Sequence, residues 1–477
     1  MDCKPNIKVE ICGCEAAIAR AKSIADSLRN QLGFINVNAL SDSARRQELL
    51  VARNHDDYVI GFARFHHRRD RVTRLYEIGV IERNEGVGAV LIRALESYAS
   101  KAGCLEVRLK CPIDLPANDF YRAMGYKSLG GVSVTGRTRR LIQWAKRLPL
   151  SRSIEFVASF TSSTNDLTKM IRLWELACPG SRPFERCIVT PLFSDPGAFS
   201  SIRHIHDQWG VRVVFDSGGF FVQQEKIQYE DLYVALMDFY CRNTWADTYV
   251  LPDFVPTSKH SNAEIWERVR VTAREGVRFF DRLPTAFKAK ALGVLQGHTT
   301  DQLDHCFEAY RNAGVNRIGF GSFDTRGGND EINLVTDQAR LRLQKVETML
   351  RTDVAADRSS EIPSLHLFGV GSPRVVAEFT HYGASSFDSS GWQRTAGYGN
   401  IYLPFMSRRN VTHGGSSIAL GAGLDAIKFY QLAEESGHSC AFCTNFKRLQ
   451  NDRFYRMWHN AIVYREMIEH INASLPT

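Results

Sequence analysis

No run of about twenty apolar residues occurs anywhere in this 477-residue sequence, so no segment has the length to cross a bilayer as a helix. Residues 1–10 lack the apolar stretch of a secretory signal as well. The cytoplasm is the expected compartment, and no membrane partner is expected. A disulfide framework is also missing: eleven cysteines, an odd number spread through a long chain, point to thiols and a metal site. Only Cys440 and Cys443 stand at ligand spacing beside histidines.

An excess of either charge is absent over most of the chain. Residues 1–150 hold 25 Lys and Arg against 16 Asp and Glu, and the remainder holds 35 against 36, so the net charge of +8 belongs to the first part. That excess, including His66-His67-Arg68-Arg69 and the stretch from Arg137 to Arg147, suits a nucleic-acid phosphate backbone or is a solvated basic face. The length is too great for one ordinary core, and two domains, 1–150 and 151–477, are the natural division. An apolar content of 44% supports complete folding.

In the first 150 residues the apolar patterns predict strands at Ile7–Ile11, Tyr58–Phe65, Leu75–Ile81 and Leu105–Cys111. They predict helices at Glu15–Leu32, Ala44–Ala52 and Ala89–Lys101. Before the last helix lies Arg83-Asn84-Glu85-Gly86-Val87-Gly88, a turn that would aim backbone N–H groups at an anion such as a pyrophosphate. Alone it is a weak signal. It becomes specific with the later stretch Ala117-Asn118-Asp119-Phe120-Tyr121-Arg122-Ala123-Met124-Gly125-Tyr126.

Together these two stretches resemble the GCN5-related N-acetyltransferase family over nearly all of residues 1–130. The resemblance implies acetyl-CoA as cofactor, with its pyrophosphate on Arg83, Gly86 and Gly88 and its thioester beside Val80. It also implies that Tyr121 protonates the departing thiolate, while the bare residue reads equally well as an aromatic packed on the sheet. The acceptor is not legible.

From Ser153 onward, β-prone runs at Phe156–Phe160, Cys187–Leu192, Val211–Phe215, Thr248–Leu251, Ala291–Leu295, Arg317–Phe320, Leu365–Val370 and Ser385–Phe387 alternate with helical segments. Eight such units predict a (β/α)8 TIM barrel, making the whole chain α/β. Polar or glycine residues follow the runs: Asp216-Ser217-Gly218-Gly219, Asp253, Gln296-Gly297, Gly319, Gly369-Val370-Gly371 and Asp388. Any single one reads as a turn or helix cap, but as a set they predict a polar pocket at the carboxyl ends of the strands.

A separate signal is His438-x-Cys440-x-x-Cys443, followed by His459 near the start of a final apolar-periodic helix. Two thiolates and two imidazoles suit a closed, tetrahedral and therefore structural Zn2+ site. The other close pair, Cys12-x-Cys14, has no histidine nearby and reads as packing.

The motifs Val214-Phe215-Asp216-Ser217-Gly218-Gly219-Phe220, Gly293-Val294-Leu295-Gln296-Gly297, Leu367-Phe368-Gly369-Val370-Gly371-Ser372-Pro373 and Phe387-Asp388 resemble the tRNA-guanine transglycosylases, in family order across most of 190–470. The resemblance implies Asp388 as nucleophile and Asp216 as the second catalytic carboxylate. It implies that Asp253 and Gln296 read a guanine-like base and that Gly319 lends backbone contacts. A carboxylate accepts from the ring N–H and exocyclic amine of guanine, and an amide donates to its carbonyl oxygen. Base replacement with retention at C1′ then runs through a covalent glycosyl-enzyme, as in retaining glycoside hydrolysis.

The chain departs from that family in three places. His438 stands where the family has cysteine, the loop at Asp253 reads Leu-Pro-Asp-Phe-Val-Pro, and no further RNA-binding domain is expected past residue 477. Arg394 falls where family arginines touch the backbone, within altered local text. These departures look closer to the 7-deazaguanine DNA transglycosylases, which insert a base such as 7-cyano-7-deazaguanine into DNA. DNA is thus the expected nucleic-acid partner and tRNA the alternative, and either requires the target base to leave its stack. A homodimer is expected by analogy with related barrels. The rival reading makes acetyl transfer the real activity and the barrel a non-catalytic nucleic-acid-binding module.

Overall fold

The computed structural model describes residues 7–68, 72–81, 85–102, 104–132, 140–148, 153–160, 163–257, 259–321, 324–325, 333–334, 336–355, 364–370, 375–412 and 422–473. The chain divides into two compact units, one up to Leu150 and one from Ser151 to Ala473.

The first unit is built on a seven-stranded sheet of order β1-β2-β3-β4-β5-β7-β6. Its strands are β1 (Lys8–Ile11), β2 (Leu49–Arg53), β3 (Val59–His67), β4 (Val72–Val80), β5 (Glu106–Pro112), β6 (Lys127–Val132) and β7 (Leu141–Arg147). Helix Val87–Lys101 lays Leu91, Ile92, Leu95 and Ala99 into the core on one side of the sheet. On the other side, helix Glu15–Ser27 packs Ala17, Ala21, Ile24 and Ala25 against Val51, Val59 and Phe62.

Three sequence expectations need correcting here. The helix expected over Glu15–Leu32 is broken at Leu28 into Glu15–Ser27 and Arg29–Leu32. The helix expected over Ala44–Ala52 is in fact the end of helix Val37–Arg45, capped at its start by the Asn36 side chain, followed by strand β2. Leu49 to Ala52 are buried on both faces of the sheet, and a continuous apolar run does not distinguish strand from helix by periodicity. Of the Cys12-x-Cys14 pair, Cys12 packs in the core as expected, whereas Cys14 is exposed at the start of the first helix.

Asn118 secures the segment after β5. Its amide nitrogen donates to the carbonyls of Pro112 and Leu115, both at 2.8 Å, and its Oδ1 accepts from the buried Trp144 Nε1 at 2.9 Å. Asn118→Leu leaves these buried groups without partners and is expected to cost about 2–4 kcal/mol. The check is the melting transition of residues 1–150: an unchanged midpoint would show that water replaces the amide.

In the second unit, β8 (Glu155–Ser159), β9 (Arg186–Val189), β10 (Arg212–Phe215), β11 (Thr248–Val250), β12 (Ala291–Leu295) and β13 (Arg317–Phe320) come first. After the short ladder of β14 (Asp324–Thr325) and β15 (Asn333–Leu334) come β16 (Leu365–Leu367) and β17 (Ala384–Ser389). Strands β8 to β13, β16 and β17 form a closed barrel in which every pairing is parallel and β17 returns to β8. Each of the eight expected runs contains a barrel strand, but Cys187–Leu192 leaves the ladder after Val189, where Pro191–Phe193 form a 3-10 turn, and Leu365–Val370 leaves it after Leu367. Val157, Ile188, Val214, Val250, Leu292 and Val294 fill one buried cluster.

Helices start directly after the strand-end loops and fix them. Helices Asn262–Arg282 and Thr300–Asn312 each open with a capping box, Ser261 with Glu264 and Thr299 with Gln302. A small sheet of β18 (Asn400–Ile401), β19 (Arg409–Asn410) and β20 (Ala422–Gly423) precedes helix Ala426–Ser436. The last helix, Arg453–Asn472, packs its Trp458 on Trp392 and donates from Trp458 Nε1 to the Met170 carbonyl. At its end the Asn472 side chain bonds both the N–H and the C=O of Ile154, at the start of the barrel.

Among the described residues no helix is long and apolar enough to cross a membrane. The ten described cysteines are all free thiols.

Candidate active site and metal centre

In the first unit the expected anion loop falls partly outside the described residues: Arg83 and Asn84 lie there, as do Arg69, Arg137, Gly371, Ser372 and Pro373. Gly86 is described, left-handed at φ 79°, and caps helix Val87–Lys101. The N–H groups of that first turn have no carbonyl a turn earlier to bond, so the end is suited to an anion. Gly88 lies one residue inside the helix, facing the Phe120 ring.

β4 and β5 run parallel but pair only from Val72 to Leu75 with Glu106 to Leu109. Past that point β5 continues along β7, and a register shift opposite Arg64 and Phe65 leaves Tyr76 without a partner on β3. The edge of β4 from Tyr76 to Val80 therefore lies open toward β5. Tyr121 sits beyond it in the core with Phe120 and Tyr126, and burial pushes its phenol well above the ordinary value, so it keeps its proton.

In the barrel, Asp216, Asp253, Gln296 and Asp388 all emerge at or just past the carboxyl ends of their strands, as expected. Two buried carboxylates, Asp253 and Asp388, and the half-buried Asp216 thus face one mouth, and each is held by different donors. Thr190 Oγ1 donates to Asp216 Oδ2 at 2.9 Å. Ser217 Oγ donates to Asp253 Oδ1 at 2.8 Å and Gln296 Nε2 to Asp253 Oδ2 at 2.7 Å. The Gly369 N–H donates to Asp388 Oδ1 at 2.8 Å, and His366 Nε2 lies 3.4 Å from the same oxygen.

Gln296 and Asp253 consequently act as one unit, with one amide hydrogen of Gln296 used on the carboxylate. Gly219 fits under it only as glycine, because a Cβ there would lie 2.5 Å from Asp253 Oδ1. Gly319 lies inside β13, paired with Val294 on one side and His366 on the other. A Cβ on it would stand 2.3 Å from the Phe368 ring, so its missing side chain makes room for Phe368. Sequence reasoning did not single out Thr190 or His366, and it met Phe368 only as a member of a motif without a role of its own. The available signal was one polar residue inside an apolar run, as in Leu365-His366-Leu367-Phe368.

Burial, and then the fields of Asp253 and Asp388, push the Asp216 carboxyl up to about 7, against the Thr190 hydrogen bond. Burial also pushes Asp253 up, partly offset by Ser217 and Gln296. Since the folded Asp216 holds its proton more tightly than the unfolded chain does, the native state loses stability as pH rises from about 4 to about 7. Asp216→Asn removes that loss. It is expected to melt with the wild type near pH 4 and to be more stable by roughly 2–4 kcal/mol at pH 8. A melting difference that does not widen with pH would mean Asp216 ionises normally in the fold.

The second cluster brings His438, Cys440, Cys443 and His459 together, one ligand atom from each lying within 4.8 Å of all the others. Cys443 Sγ is 3.0 Å from His438 Nε2 and 3.2 Å from His459 Nδ1, and 3.1 Å from Cys440 Sγ, with no S–S bond. The outward nitrogens are both anchored: His438 Nδ1 to Glu466 Oε2 at 2.6 Å, and His459 Nε2 to the Tyr402 carbonyl at 2.8 Å. Donation to these acceptors aims a lone pair from each ring into the cluster. Hydrogen bonding from Cys443, and then both imidazoles, hold the Cys440 thiol well below the ordinary thiol value, while the same contact pushes Cys443 up. The donor set and its spacing fit a tetrahedral Zn2+ with no open position.

A cavity of about 460 Å³ lined by Trp174, Cys178, Arg182 and Trp209 shares no residue with either cluster.

Residues 24–126 match the model of the acetyltransferase (GNAT) family, and the first unit therefore carries a GNAT acetyltransferase domain. Similar solved structures include Ard1 from Thermoplasma volcanium, with 19% identity over 30% of this chain and 97% of that one and a TM-score of 0.28. The ribosomal-protein-S18-alanine N-acetyltransferase from Escherichia coli has 14% identity over 31% and 96%, with a TM-score of 0.26. The yncA protein from Salmonella typhimurium, solved with its cofactor acetyl-CoA, has 16% identity over 30% and 94%, with a TM-score of 0.26. No curated protein matches the chain.

Proposed function

We propose that the barrel is a base-exchange transglycosylase that replaces guanine in nucleic acid, DNA in preference to tRNA, with a 7-deazaguanine such as 7-cyano-7-deazaguanine. The observation that carries this reading is the set of three carboxylates at one barrel mouth, Asp253 and Asp388 buried and Asp216 half-buried, each held by its own donors.

Asp388 attacks C1′ of the nucleotide. The C1′–N9 bond breaks as the bond from Asp388 to C1′ forms, and the electron pair left on N9 takes the proton that Asp216 holds near neutral pH. Deazaguanine then loses its own proton to Asp216 and displaces Asp388, so acid and nucleophile are restored and the configuration at C1′ is retained. Asp253, locked by Ser217 and Gln296, presents a carboxylate edge to the guanine N–H groups. His438, Cys440, Cys443 and His459 would hold a Zn2+ that ties the last helix to the segment before it, and a closed set of four ligands would leave it no position for chemistry.

The GNAT match favours a second activity, acetyl transfer from acetyl-CoA. Acetyl-CoA supplies a thioester acyl group. The turn at Gly86 and Gly88 would hold its pyrophosphate, the open edge of β4 would pair with amides of its arm, and Tyr121 would hold a proton for the departing sulfur.

Incubation with labelled guanine, or mass-tagged 7-cyano-7-deazaguanine, and matched DNA and tRNA tests the barrel. Label is expected in DNA. Label in tRNA alone would move the enzyme to the alternative substrate, and label in neither would undo the reading.

A further inference from the structure

His366 is a buried polar residue within a barrel strand, and no step above uses it. It pairs across the ladder with Ser386, and Asp388 follows two residues later on the same face of β17. All three are nearly buried, at 6%, 8% and 7% exposure. The His366 Nδ1 lies 2.9 Å from Ser386 Oγ, and its Nε2 lies 3.4 Å from Asp388 Oδ1. Phe368 stands edge-on to the imidazole at 4.6 Å and is itself admitted by the bare Gly319.

A neutral imidazole has one donor and one acceptor. With the proton on Nδ1, the Nε2 lone pair would face a carboxylate oxygen and repel it. With the proton on Nε2, the ring donates to Asp388 and its Nδ1 accepts from the Ser386 hydroxyl. Oδ1 of Asp388 then has two donors, Nε2–H and the Gly369 N–H, and Oδ2 is left as the oxygen turned to the substrate.

We propose that His366 is the positioning residue of the barrel site: set in its Nε2–H tautomer by Ser386, it fixes Asp388 through Oδ1 so that Oδ2 attacks. This rests on the transglycosylase reading for its functional half, but the tautomer does not. Ser386 acts on Asp388 only through the ring, and Gly319 only through Phe368, which accounts for a glycine in the middle of a strand.

Two measurements on the full chain test it. Long-range 15N–1H correlation spectra of histidine-labelled protein at pH 8, with His366→Gln to identify the signals, should show His366 protonated on Nε2 alone. Ser386→Ala should turn it into a mixture of tautomers. A proton on Nδ1, or on both nitrogens, overturns the proposal whatever the barrel catalyses. In exchange assays His366→Leu should form the covalent adduct about 10²-fold more slowly at unchanged KM, because a small displacement of a reacting group is felt at that level. His366→Gln, whose amide can still donate, should recover most of that loss. Equal rates for Leu and wild type overturn the positioning role. Absence of any adduct in the wild type instead rejects the transglycosylase reading and leaves the spectra to decide the tautomer.

Discussion

Asp388→Asn is expected to reduce base exchange by at least about 10⁴-fold while the protein melts within a degree or two of the wild type. The amide keeps an oxygen to accept the Gly369 N–H, so the loop after β16 stays in place, and only the nucleophile is gone. The protein–nucleic acid adduct that survives denaturation should disappear with it. Guanine binding should persist, because Asp253, Ser217 and Gln296 hold one another without reference to Asp388. Single-turnover incorporation with wild type and variant gives the answer directly. If Asp388→Asn still exchanges within tenfold of the wild type, the covalent bond is made elsewhere or not at all.

Cys443→Ser should have the largest effect on stability. Cys443 contacts all three other members of the cluster, and a structural zinc in such a site is worth on the order of 10 kcal/mol in small domains. The variant is expected to bind less than a tenth of the wild-type zinc and to lose about 10 °C or more in the barrel transition. Loss should be less complete for Glu466→Gln, which can still orient His438 but less strongly, with metal affinity falling about 10- to 100-fold. Native mass spectrometry of protein purified without chelator should show one zinc per chain, and a metal-free, fully stable protein would refute the assignment.

The barrel was legible because parallel strands buried on both faces appear as short apolar runs, and eight of them alternate with helical patterns. The same property misled at Leu49–Ala52, where a strand buried on both sides was assigned to a helix. Of the site, what sits in contiguous motifs could be read: Asp216 within Asp-Ser-Gly-Gly, Asp388 at a strand end, and the His-x-Cys-x-x-Cys ligands. Contacts made across the ladder could not. Thr190 meets Asp216, Ser386 meets His366 and Glu466 meets His438 only once the strands and the last helix are in register. The packing reason for Gly319 was hidden likewise, since Phe368 lies on another strand end.

Asn472 clasps both backbone groups of Ile154 across 318 positions of chain, and the strand after Ile154 also pairs with the last strand of the barrel. During synthesis the opening strand of the barrel must wait unpaired on one edge until β17 has emerged, and the residue just before it gains its last two hydrogen bonds only when the end of the final helix arrives. Translation that stalls before Ala384 would release a chain whose barrel sheet is unclosed and adhesive at the edge of β8.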